Sequence, residues 1–221
     1  MSKTLLFIVG SPKLKRSNSY SIAEHLKNEL IGRGWTIEIL FSHQAFTNET
    51  KMNEIIEKTE EADLLGIIFP LYVDEIPGPL IQTLETLTQQ KTKRTDQKIF
   101  TIVNSGFPEP HQSQLAIGMI EQFTEEYHAT FIGGLTIGAG GIIGGMPLER
   151  IKHRSKRLIK ALDLTIQSLD QTQTISSEAK QLLSKPIFSK TLYNIFANKG
   201  WKIQAKKYGV KKLYLKPDKD E

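Results

Sequence analysis

The chain has 221 residues, 39% of them hydrophobic and 24% charged, the balance of a water-soluble globular protein able to bury a core without staples. It contains no cysteine, which excludes disulfides, thiolate zinc sites, iron–sulfur clusters and cysteine nucleophiles. The net charge of +5 is unevenly placed: residues 180–221 carry eleven Lys against Asp218, Asp220 and Glu221, so the tail is +8 and the rest −3. After Met1-Ser2-Lys3, the apolar run from Thr4 to Val9 has the length of a buried strand and is too short for a signal peptide. The longest apolar stretch, Leu64 to Tyr72, is well below membrane-spanning length, and a cytoplasmic protein is expected.

Strands are expected over 4–10, 36–41, 64–69, 98–103 and 130–137. The third and fourth are continuous apolar runs, the pattern of strands covered by helices on both faces. Apolar residues at helical spacing place helices over 19–33, from Pro79 onward, over 112–128 and over 148–169. This alternation predicts an α/β fold over residues 1–170: a three-layer, doubly wound, five-stranded parallel sheet. The polar run Gln171-Thr172-Gln173-Thr174 opens a basic, mainly helical C-terminal extension, 171–221, expected to pack on the domain or on a partner subunit.

Such sheets bind ligands outside the carboxyl ends of their strands, so the informative loops follow strands one, three, four and five. The first reads Gly10-Ser11-Pro12-Lys13-Leu14-Lys15-Arg16-Ser17-Asn18-Ser19. Amides at a helix start have no intrahelical partner and face the positive end of the dipole, so they hold anions, with hydroxyls completing the cage. A helix cap would need one such side chain; Ser11, Ser17, Asn18 and Ser19 beside Lys13 exceed that need. The loop lacks both the G-x-x-x-x-G-K-[ST] pattern of triphosphate sites and the G-x-G-x-x-G of dinucleotide sites. A single terminal phosphate, as on a mononucleotide, suits it better.

With those residues in view, Gly10-Ser11-Pro12 and Ser17-Asn18-Ser19 resemble the phosphate loop of the flavodoxin-like NAD(P)H-dependent FMN reductase and quinone reductase family. Pro70-Leu71-Tyr72-Val73 resembles the family's P-x-Y segment beside the isoalloxazine ring, and Asn104-Ser105-Gly106-Phe107 a segment after its fourth strand. The resemblance covers residues 4–145. It implies a flavodoxin-like fold, bound FMN, NAD(P)H as co-substrate and hydride transfer to a small acceptor such as a quinone, azo or nitro compound, or free flavin. It also implies a homodimer or homotetramer, with no catalytic side chain required because the flavin carries the chemistry. The departures are Lys13, where many members carry Arg, and Ile81-Gln82, where a Lys often follows the Pro-rich turn. The alternatives are a flavodoxin-type electron carrier, or a non-catalytic flavin-binding regulator acting through its tail.

Amides of 104–106 are expected along the ring edge, against the competing reading of an ordinary turn. Gly138 to Gly145 nearly matches the dinucleotide fingerprint, but Ile143 replaces its third glycine. Gly140 and Gly141 are therefore read as part of a mobile loop near the ring, with a plain connector as competitor. The five histidines lack metal-ligand spacing, and no metal or nucleic acid is expected. For the basic tail, packing or dimerisation is favoured over contact with an anionic membrane surface.

Overall fold

The computed structural model describes residues 3–90, 96–151, 155–186 and 190–210. Five parallel strands, β1 (Thr4–Val9), β2 (Thr36–Phe41), β3 (Leu64–Pro70), β4 (Lys98–Asn104) and β5 (Thr130–Ile137), form one sheet in the order β2-β1-β3-β4-β5. The helices are α1 (Asn18–Ile31), α2 (Ser42–Phe46), α3 (Glu49–Glu61), α4 (Gly78–Gln89), α5 (Gln114–Glu126), α6 (Lys156–Thr172), α7 (Ser177–Leu183) and α8 (Lys190–Lys207). This is the expected flavodoxin-like, doubly wound α/β fold.

The pleat explains the layering. Along β1, Leu5, Phe7 and Val9 join a core with α1 and α6, while Leu6 and Ile8 join a second core with α3, α4 and α5. A strand apolar at every position from Leu5 to Val9 thus feeds two cores at once. In β3, Gly66 leaves room for two rings: a Cβ there would stand 2.6 Å from Phe7 and 2.8 Å from Phe100. Those rings meet edge to face at 6.2 Å.

Three local expectations change. The expected helix over 148–169 is a 3₁₀ turn, Leu148–Ile151, followed by α6 from Lys156; residues 152–154 lie outside the described ones. α6 also runs through Gln171 and Thr172, because polar residues on the exposed side of an amphipathic helix look like a linker in sequence. Between β2 and β3 stand α2 and α3, for which the sequence gives little periodicity. In α3 only Met52, Ile55 and Thr59 are buried among charged neighbours, so its apolar stripe is narrow.

The chain forms two compact units, Met1–Ile187 and Phe188–Glu221. In the first, Ala179 and Leu183 of α7 join the core of α1 and α6. The second contains α8.

Candidate functional site

β1 and β3 are neighbours, but α1 covers one face of the sheet and α4 the other. Their following loops therefore diverge, which makes this the topological switch point where a doubly wound sheet ordinarily takes its ligand.

The loop after β1 is closely wound. Gly10 N–H donates to Ile68 O at 2.9 Å, Leu14 N–H to Ser11 O at 3.1 Å and Arg16 N–H to Lys13 O at 3.0 Å. Gly10 admits no side chain, since a Cβ would lie 2.7 Å from Phe69 and Leu80. Ser17 is the N-cap of α1: its Oγ accepts from Tyr20 N–H at 3.1 Å and donates to Leu14 O at 2.6 Å. Asn18 is a strap, with Nδ2 donating to Gly140 O at 2.9 Å and Oδ1 accepting from Gly145 N–H at 2.8 Å. Ser19 Oγ accepts from Asn104 Nδ2 at 2.8 Å, and the same amide donates to Phe69 O at 3.0 Å. The side chains read in sequence as a cage thus also cap the helix and tie three loops together.

What remains unpaired is informative. Among the described residues, the backbone N–H groups of Asn18 and Ser19 have no acceptor. Lys13, Lys15 and Arg16 are exposed and have no carboxylate partner among the described residues.

After β3, Pro70 ends the strand and Leu71 turns inward, its N–H donating to Asn104 O at 2.9 Å. Tyr72 and Glu75 then exchange two backbone hydrogen bonds of 3.1 Å around Val73 and Asp74, which take φ 52° and 64°. This tight turn leaves Tyr72 42% and Val73 96% exposed. After β4, Ser105 is buried and donates its N–H to Ile137 O at 2.9 Å. That bond ties the start of this loop to the end of β5. Phe107 is 51% exposed, and a Cβ on Gly106 would meet no heavy atom within 4 Å.

The glycine-rich segment after β5 is pinned on two sides. Ala139 N–H donates to Phe107 O at 2.6 Å and Gly140 N–H to Ser105 O at 2.7 Å, while Asn18 holds Gly140 and Gly145. Gly145 has φ 67°, and a Cβ there would run into the Arg16 carbonyl. Gly141 borders open space. The segment is a wall joined to the first loop rather than a free connector. The sequence offered no signal for this bridge, since Asn18 and Gly140 are 122 positions apart.

A separate recess of about 1020 Å³ lies between α4 and α5, lined by Ile76, Ile81, Leu84, Leu115, Met119 and Phe123. It sits beside the helices, away from the phosphate-type loop. Among the described residues there is no cluster of metal-ligating side chains, and no helix is long and apolar enough to cross a membrane.

Residues 4–141 match the family described as NADPH-dependent FMN reductase. The chain belongs to this family. It is an oxidoreductase, and FMN is its cofactor. An FMN-dependent NADH-azoreductase from Bacillus anthracis strain Ames Ancestor, solved in complex with FMN, is similar with 14% identity and a TM-score of 0.49 over 73% of this chain and 98% of that one. The apo form of an NADH:FMN oxidoreductase shows 15% identity and a TM-score of 0.48, covering 69% of this chain and 90% of its own. A flavodoxin from Streptococcus pneumoniae TIGR4 shows 12% identity and a TM-score of 0.47, with coverages of 69% and 96%. No curated protein matches the chain.

Proposed function

We propose that this FMN reductase holds its cofactor across the carboxyl edge of β1, β3 and β4. The loop from Ser11 to Ser19 would hold the phosphate, and segments 70–73 and 104–107, with Gly140 and Gly141, would hold the ring. The observation that carries this reading is the unpaired pair of amides at Asn18 and Ser19 beside three unpartnered cations. Free N–H groups at the positive end of a helix attract an anion, and Lys13 adds a point charge rather than a bidentate fork. The Ser19 hydroxyl, fully buried, accepts from Asn104 and fixes the loop from within.

Bound FMN supplies the redox chemistry, taking a hydride from NAD(P)H and passing electrons to a quinone, azo or nitro compound, or free flavin. The work of this chain's residues is positional. Asn18 fixes the spacing between the phosphate loop and the 140–145 wall through its two hydrogen bonds. Asn104 fixes the first loop against β3 through Ser19 and Phe69. Tyr72 and Phe107, both half exposed, offer apolar flanks for a flat ring, and Gly106 and Gly141 keep side chains out of the space between loops.

The purified protein is expected to retain flavin absorption after mixing with FMN and desalting, and NADPH is expected to bleach that absorption anaerobically. Riboflavin, which lacks the phosphate, should bind far more weakly than FMN. The exposed-cation double variant Lys13→Ala/Arg16→Ala should weaken FMN binding by roughly tenfold or more, since hydrogen bonds to charged groups are worth about 1.5–3 kcal/mol. Equal affinity for riboflavin and FMN would refute the phosphate cradle. Bound flavin left unbleached by both NADPH and NADH would refute the reductase reading and leave a carrier.

A further inference from the structure

α5 carries two stripes. Ala116, Ile120 and Phe123 are buried in the core, and beside them Leu115, Gly118, Met119 and Gln122 recur at i, i+3, i+4 and i+7. α4 repeats the pattern, with Ile81, Leu84, Glu85 and Thr88 at the same spacing beside the buried Leu80, Thr83 and Leu87. These second stripes line the recess of about 1020 Å³ between the two helices. Leu115 stands 61% exposed at its edge.

Gly118 sits inside α5, where glycine is among the poorest helix formers. A Cβ there would meet no heavy atom within 4 Å, so nothing described in the chain requires the side chain to be missing. A helix approaching from outside would require it. Leu115 and the hollow over Gly118 also give this face one knob and one hole, which suits a surface that packs against itself.

Charge points the same way. Glu121, Glu125 and Glu126 lie in the C-terminal half of α5, while no basic residue stands in its last turn and no acidic one in its first. That is the reverse of what the helix's own dipole favours. α4 and α5 follow neighbouring parallel strands, so they run in one direction, and a two-fold axis through their face sets a second pair antiparallel to them. Each acidic end then lies beside the positive, amino-terminal end of a helix in the other copy.

We infer that the α4–α5 face is an interface between two copies of this chain, closed as an antiparallel four-helix packing about a two-fold axis. The recess lining contains no Lys or Arg, so an anionic partner would find no counter-charge there. Most of its polar groups are neutral, Thr88, Gln89, Gln114 and Gln122. Amides and hydroxyls both donate and accept, so they pair with their own kind.

The full-length, FMN-loaded protein is tested by analytical ultracentrifugation across a dilution series, where a reversible dimer is expected. Gly118→Gln places its side chain in open space in the monomer and favours the helix, but it fills the hollow. It should weaken the dimer roughly a hundredfold or more, because a two-fold interface feels the overpacking twice. Leu115→Glu should do the same, and in the dilute range both variants should melt within a few degrees of the parent. E125Q/E126Q should weaken the dimer roughly tenfold, through the lost attraction to the partner's helix ends. The chain has no cysteine, so Gln122→Cys supplies a single thiol. It should be protected from a maleimide above the dimer midpoint and react below it, whereas Lys160→Cys, exposed on α6 across the sheet, should react in both ranges. A parent that stays monomeric throughout the series overturns the inference. So does a dimer that G118Q and L115E leave intact, or a Gln122→Cys thiol equally reactive in both ranges. A dimer tightened by E125Q/E126Q overturns the antiparallel arrangement.

Discussion

Val73 and Asp74 take φ 52° and 64° in succession, a turn geometry that ordinarily calls for Asn-Gly. For a β-branched residue this left-handed conformation costs about 1–2 kcal/mol. Packing does not offset the cost, because Val73 is 96% exposed. Val73→Gly removes the steric clash but adds about 0.5–1 kcal/mol of unfolded-state entropy, so a net gain of up to about 1 kcal/mol is expected. For a domain of this size that is a rise of about 2–4 °C in Tm, read by differential scanning calorimetry. A fall in Tm would mean that Val73 makes a stabilising contact in solution. The same residues show why this part of the site was illegible in sequence. Tyr72-Val73-Asp74-Glu75 contains neither glycine nor asparagine, so nothing announced a turn. The P-x-Y segment could be placed at the end of β3, but its shape could not.

At the scale of elements, Asp170 near the end of α6 gathers three partners from the start of the chain. Its Oδ1 accepts from Trp35 Nε1 at 2.9 Å, and its carboxylate lies 3.5 Å from Arg33 and 3.6 Å from Lys3. Lys3 also stands over the Trp35 ring at 5.0 Å. The hydrogen bond from Trp35, then the charges of Lys3 and Arg33, hold the carboxyl below its ordinary range. The folded protein therefore binds this proton less readily than the unfolded chain does. The resulting stability is present above the unfolded carboxyl pKa, about 3.9, and is lost as pH falls through the folded one. Asp170→Asn keeps an acceptor for Trp35 and removes the charge. In melting curves across acid pH the variant should lose less stability than the parent, with the two differing modestly near neutrality. Parallel pH profiles would show that the carboxylate charge does nothing for the fold. Elements of this kind were unevenly legible. The central strands β1, β3 and β4 declared themselves because they are buried on both faces, whereas α3 buries a thin stripe and α6 continues under residues that look like a linker.

At the scale of the molecule, the site loops were legible because a doubly wound sheet delivers its loops to one edge whatever their sequence. The bonds between those loops were not legible, since they pair residues such as Asn18 and Gly145 that only the fold brings together. The tail raises the opposite question, whether the fold needs it. Both hydrophobic cores are built, among the described residues, from side chains between Leu5 and Leu183. The segment 188–221 carries nine Lys against three acidic residues, so ending the chain at Ile187 changes the net charge from +5 to −1. A chain shortened there is expected to keep its Tm to within a few degrees and its FMN affinity to within about twofold, because neither core nor phosphate loop is touched. Its behaviour on charged surfaces should invert, with retention on a cation exchanger at neutral pH largely lost. Calorimetry, flavin titration and ion-exchange elution of the two forms check these outcomes separately. A large fall in Tm would place the tail within the folding unit of the reductase. Unchanged retention would mean that the exposed loop cations Lys13, Lys15 and Arg16 dominate the surface charge.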